Sequence, residues 1–209
     1  MTAGNAELIR QLVNDGYLRS QPVIEAFRAI DRRDFLPEEV RSQAYENIAL
    51  PIGYKQTISQ PLVVAFMLEL LDIKPGERVL EIGTGSGWKT ALISHILGDS
   101  GALVSIERIP ELVEFAGQNL KHYVVPDGAV RMLISGDGSK GYSTQAPFDK
   151  IIAAASAENV PEAWKEQLKI GGRIVVPVKD SIVVLDKTSK NTFTAREYLG
   201  YNFVPLISH

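Results

Sequence analysis

The stretch Val79–Thr90, VLEIGTGSGWKT, constrains this chain more than any other. An apolar, strand-like run enters three glycines at alternate positions, Gly83, Gly85 and Gly87, and leaves as a helix. Glycine permits a tight turn and lets a ligand approach the backbone, and a helix that opens there presents free N–H groups. A plain strand-to-helix turn does not need three glycines in five residues. Three familiar loops fail on single positions. A phosphate-cradling G-x-x-x-x-G-K-[ST] loop framed from Gly83 matches Lys89 and Thr90 but carries the bulky Trp88 where a glycine belongs. The dinucleotide fingerprint G-x-G-x-x-G meets Trp88 or Thr90 at its third glycine, depending on the frame. A G-x-S-x-G nucleophile elbow around Ser86 meets Thr84 and Trp88 instead of glycines.

The pattern that fits is E-x-G-x-G-x-G, whose spacing resembles the S-adenosyl-L-methionine loop of class I methyltransferases. The resemblance implies cofactor contacts along Glu81, Gly83, Thr84, Gly85, Ser86 and Gly87. Glu107 closes the next strand-like run about 20 residues further on, where an acidic side chain can accept both ribose hydroxyls. Asp137 lies between Gly136 and Gly138 after another such run, in position to bond the adenine amino group. Its other reading is a glycine-rich turn closed by an Asx bond.

The rest of the chain agrees with an open α/β sheet. Up to Ile73–Gly76 the pattern is helical, with faces at Ala6–Asp15 and Pro22–Asp31, then an irregular stretch from Arg33 to Pro51, and an apolar run from Pro61 to Leu71. Ser59, two residues before that proline, reads as the helix N-cap. After Gly76, strands are expected at Arg78–Ile82, Leu103–Ile106, Val130–Ile134, Lys150–Ala154 and Arg173–Val178, alternating with helices at Trp88–Leu97, Pro110–His122 and Pro161–Leu168. Two more strands, Ile182–Leu185 and Thr192–Leu199, follow without room for helices, which suggests an antiparallel edge. The expected fold is a doubly wound, mostly parallel, Rossmann-like α/β sheet with an N-terminal helical cap. Residues 1–209 are expected to form one domain, with 1–60 as cap and substrate segment and 61–209 as the cofactor-binding core.

Composition narrows the function. The 209 residues contain no cysteine, so disulfides, thiolate metal sites and a thiol nucleophile are excluded. A net charge of −3 and the lack of a dense basic tract argue against nucleic acid as partner. The N-terminus lacks a secretory pattern, and the most apolar run, 61–71, is interrupted by Glu69 and is too short for a span. A cytoplasmic location, no membrane partner and a monomer or weak oligomer are expected. His95, His122 and His209 form no triad or metal set by spacing, and no metal site is expected.

The segment Leu50–Pro61, LPIGYKQTISQP, closely resembles the corresponding segment of the protein-L-isoaspartate O-methyltransferases. The likeness extends over nearly the whole chain, through Ala26-Phe27, Arg32–Pro37, the glycine loop, Gly136–Gly138, Pro147–Asp149 and Phe203–Leu206. It implies methyl transfer from S-adenosyl-L-methionine, giving S-adenosyl-L-homocysteine, to the α-carboxylate of L-isoaspartyl residues in damaged proteins and peptides. The ester then collapses to a succinimide and repair begins. It also implies that Ser59 is the catalytic serine, that Thr57, Ser59 and Gln60 bind substrate, and that Glu107, Asp137 and Gly138 hold the ribose and adenine. The chemistry explains the scarcity of acid–base residues: the acceptor carboxylate is ionised at neutral pH, so no general base is required. Trp88-Lys89, Ala154, Ser156 and Asn202 depart from the family's usual residues and bear on peptide preference. The alternatives are a class I methyltransferase acting on a nucleic acid or small molecule, and a binding module without turnover.

Overall fold

The computed structural model describes residues 1–123, 130–201 and 203–206; the expectations for Asn202 and His209 lie outside the described residues. Helix α1 (Ala3–Asn14) buries Leu8, Ile9 and Leu12 along one stripe, and its N-cap Thr2 accepts the Asn5 N–H. Gly16, with φ +77°, follows its C-cap, as the sequence suggested. Helix α2 (Gln21–Ala29) buries Val23, Ala26 and Phe27. Two 3-10 turns, Arg32–Phe35 and Glu38–Gln43, occupy the first part of the stretch expected to be irregular. It then closes in a short antiparallel hairpin that sequence reading had not resolved, β1 (Leu50–Gly53) and β2 (Gln56–Ile58). Helix α3 (Pro61–Leu71) follows immediately.

From Arg78 the chain alternates as expected: β3 (Arg78–Ile82), α4 (Trp88–Leu97), β4 (Ala102–Glu107), α5 (Pro110–Leu120), β5 (Val130–Ser135), β6 (Phe148–Ala153), α6 (Glu162–Gln167), β7 (Leu168–Val178), β8 (Ser181–Ser189) and β9 (Thr192–Leu199). The sheet order is β5-β4-β3-β6-β7-β8-β9; the first five strands are parallel and the last two antiparallel. This is the Rossmann-like fold with an antiparallel edge. The sizeable boundary differences are β7, which begins at Leu168 instead of Arg173, and β8, which runs to Ser189 instead of ending at Leu185. Lys169–Gly172 read as a loop, but a register shift between the Phe148–Leu168 and Lys150–Arg173 pairs absorbs it within the strand.

The central parallel strands β3, β4 and β6 are buried on both faces, as covered parallel strands are. Val79, Leu103, Ile152 and Val175 pack with α1–α4 and Leu112 of α5 in one core. Leu80, Ile82, Val104 and Ile151 form the other with Trp164 of α6. The Trp164 indole N–H donates to the Gly138 carbonyl at 2.9 Å, fastening that second core to the loop after β5. Strand order reverses about β3: the chain runs outward through β4 and β5 and returns on the other side with β6. The carboxyl ends flanking such a reversal leave a crevice open to ligands. Among the described residues no helix is long and apolar enough to cross a membrane.

Candidate active site

A cleft of about 420 Å³ occupies that crevice. Its floor is built from strand ends: Ile82 of β3 and Gly83 after it, Ile106 and Glu107 of β4, Gly138 after β5, and Ala154 and Ala155 after β6. The ladder continues into these ends, since Gly83 N–H donates to Ile106 O, Ala154 N–H to Ile82 O and Gly136 N–H to Glu107 O, each within 2.9 Å. One wall is the segment expected to bind substrate, with Gln56, Thr57, Ser59 and Gln60. The opposite rim is Phe203–Leu206, clamped by Ser156, whose N–H donates to Val204 O and whose carbonyl accepts Leu206 N–H, both at 2.7 Å.

The glycine loop divides its residues between cleft and core. Gly83 and Gly85 line the cleft. Glu81, Thr84, Ser86 and Gly87 do not appear in that lining; the first three are buried beneath it. The reason is strand periodicity: Glu81 shares the face of Val79, towards α4, so its side chain points away from the cleft mouth. There one oxygen accepts Thr90 Oγ1 at 2.6 Å and Ser105 Oγ at 2.8 Å, and the other lies 3.5 Å from Lys89 Nζ. Thr84 Oγ1 in turn bonds Ser105 Oγ at 2.6 Å. Burial pushes the Glu81 carboxyl up and the Lys89 ammonium down from their ordinary values, and each partly offsets the other. Gly87 has φ +89°, and a Cβ there would meet Ala116 and Leu120 at 3.3 Å, so it allows α4 and α5 to pack closely.

Glu107 behaves differently. Its Oε2 accepts the Gly85 N–H and its Oε1 the Ile109 N–H, both at 3.0 Å, while the side chain still borders the cleft. Asp137 is not in the cleft lining, although its neighbour Gly138 is, and it makes the Asx bond given as its other reading, accepting the Ser139 N–H and hydroxyl at 3.0 and 2.7 Å.

The segment Gln56–Gln60 requires a correction. Ser59 does not cap α3. The N-cap is Gln60, without a side-chain bond of its own, and the donor at Leu62 is satisfied from a distance by Asn47 Oδ1 at 3.0 Å. Gln60 Nε2 donates to the Asn47 carbonyl at 2.9 Å, which closes the bracket. With the cap supplied by Asn47, the Ser59 hydroxyl makes no hydrogen bond among the described residues, and Ser59 lines the cleft. Asn47 was not legible as a site residue, because nothing local marks a cap that comes from fifteen residues away. Of the departures, Ala154 lines the cleft, whereas Trp88 and Lys89 lie buried under the loop and Ser156 acts through its backbone. His95 and His122 are exposed and absent from the lining.

A family model for protein-L-isoaspartate(D-aspartate) O-methyltransferase matches residues 3–209. The chain belongs to this family. It is 45% identical to the protein-L-isoaspartate O-methyltransferase of Methanopyrus kandleri over 96% of this chain and 89% of that one. It is 46% identical to the protein of the same name from Ignicoccus hospitalis, over 96% of each. A solved protein-L-isoaspartate O-methyltransferase superposes with a TM-score of 0.87 at 29% identity, over 98% of this chain and 66% of that one. A Plasmodium falciparum structure, described as a candidate member with S-adenosyl-L-homocysteine bound, shares the fold at TM-score 0.85 and 22% identity, over 99% of each chain. The cofactor of the family is S-adenosyl-L-methionine, and the cleft suits it: bare glycine backbone, an acidic side chain at the β4 tip, and no room at Gly138, where a Cβ would come within 2.5 Å of Ile82.

Proposed function

We propose that residues 1–209 act as one methyltransferase unit that esterifies the α-carboxylate of L-isoaspartyl residues, with 1–60 supplying the cap and acceptor segment and 61–209 the donor core. The observation that carries this reading is that a single cleft has both the glycine loop and Thr57–Gln60 in its wall. Bound S-adenosyl-L-methionine supplies an electrophilic methyl group on a sulfonium. Glu107 accepts the ribose hydroxyls, Asp137 and the Gly138 backbone meet the adenine, and Gly83 and Gly85 allow close approach. The Ser59 hydroxyl, unengaged among the described residues, donates to one acceptor oxygen, and Thr57 and Gln60 flank the same carboxylate. Because that carboxylate is already ionised, the protein contributes alignment and removal of water rather than proton transfer.

The same reading has the enzyme work in the cytoplasm, as a monomer or weak oligomer, on protein rather than nucleic acid; the net charge of −3 supports the last point. The test is a paired-peptide assay with labelled S-adenosyl-L-methionine. Label is expected in isoaspartyl peptides and not in matched aspartyl peptides. Equal labelling of both, or label in added RNA instead, overturns the proposal.

A further inference from the structure

Arg32 stands out among the charged side chains outside the cleft. It opens the 3-10 turn after α2, and it is fully buried. Its Nη1 donates to the carbonyls of Ala44 at 2.9 Å and Glu46 at 3.3 Å. Its Nη2 donates to the carbonyls of Ile48 at 2.8 Å and Ser59 at 3.2 Å. The guanidinium carbon lies 5.3 Å from the centre of the Trp88 ring, the first residue of α4 after the glycine loop, and that ring is also held edge-on by Phe27. Burial pulls the guanidinium down to a pKa of about 10, so it remains charged at neutral pH.

One rigid cation thus touches three things: the chain leading to the hairpin, the backbone of Ser59, and the helix that follows the cofactor loop. Neither the cap bracket at Asn47 nor the hairpin ladder fixes the Ser59 peptide directly; its carbonyl is held by Arg32. We propose that Arg32 is the positioning residue for Ser59, holding the acceptor segment at a set distance from the donor loop through Trp88. Lysine cannot replace it, since an ammonium has no planar fork to reach carbonyls on two sides and stack on an indole together.

This inference rests on the reading that the Ser59 hydroxyl meets the acceptor, so the test is a double-mutant cycle between the two residues. Arg32→Lys is expected to lower kcat/KM for an isoaspartyl peptide by about ten- to a hundredfold, the scale of a small misplacement at a reacting centre. The dissociation constant for S-adenosyl-L-homocysteine should move by less than about threefold, because the donor side of the cleft is untouched. In a Ser59→Ala background the same substitution should cost less than about threefold, since the hydroxyl it would misplace is gone. Equal losses in both backgrounds would assign Arg32 a merely structural role and overturn the inference.

Trp88→Leu is the second arm should Arg32→Lys not fold. It keeps a bulky side chain but removes the ring under the cation, and its loss of activity should likewise shrink in the Ser59→Ala background. A Trp88→Leu loss that is independent of Ser59 counts against the strut. If Ser59→Ala alone leaves transfer unchanged, the reading of the acceptor site fails, which is a different result from failure of the cycle.

Discussion

The Gly85 N–H donates to Glu107 Oε2 at 3.0 Å, so the carboxylate at the β4 tip holds the glycine loop while bordering the donor side of the cleft. Glu107→Ala removes a charged acceptor from the loop and, on the proposed reading, from the ribose. A hydrogen bond to a charged group contributes about 1.5–3 kcal/mol, so affinity for S-adenosyl-L-homocysteine should fall by about ten- to a hundredfold. Calorimetric titration checks this, and an unchanged affinity contradicts it. The turnover number at saturating donor should change much less.

Ser59→Ala should show the opposite pattern. Because α3 is capped by Asn47 and not by Ser59, the variant keeps its helix and its melting temperature. Methyl transfer to isoaspartyl peptide should drop by about ten- to a thousandfold, the range for losing one aligned donor, with donor affinity near normal. A parallel fall in thermal stability would mean the hydroxyl is structural after all.

Under the loop, Lys89→Met leaves the Glu81 carboxylate buried without its countercharge. Removing one partner of a buried pair costs about 3–5 kcal/mol. Burial raises the Glu81 pKa above its ordinary value, so the proton-bound carboxyl favours the folded state at low pH and that advantage disappears as pH rises through the folded pKa. The gap in unfolding free energy between variant and parent should therefore be wide at pH 8 and narrower at pH 5. Urea melts at the two pH values test the sign; a gap that widens towards pH 5 refutes it.

Gly138→Ala forces a Cβ to within 2.5 Å of Ile82 Cγ2, a branched atom on a buried strand end that has little freedom to move. Overpacking of this kind costs about 1–3 kcal/mol. The loop after β5 also receives the Trp164 indole bond, so its displacement should weaken binding of S-adenosyl-L-homocysteine as well as stability. Thermal melts with and without that ligand separate the two effects.

Much of the fold was legible because it follows from periodicity. Arg78–Ile82, Trp88–Leu97 and Thr192–Leu199 lie where the pattern of apolar residues puts them, and the two helixless strands at the end form the antiparallel edge. The hairpin Leu50–Ile58 was missed, since its strands are four and three residues long and the first contains proline and glycine. At the site, Glu107, Gly83, Gly85, Thr57, Ser59 and Gln60 meet in one cleft, whereas Glu81 turns inward on the alternate face of its strand.

What the sequence determined by itself was the order of strands and helices, the glycine loop at the first strand end and the chemistry its neighbours can support, all of which depend on residues close together in the chain. Tertiary structure alone decided that Asn47, not Ser59, caps α3, and that Arg32 joins the Ser59 backbone to Trp88. Those partners are separated by roughly fifteen to sixty residues, and carbonyls accept hydrogen bonds whatever side chain they carry, so no local pattern could announce them.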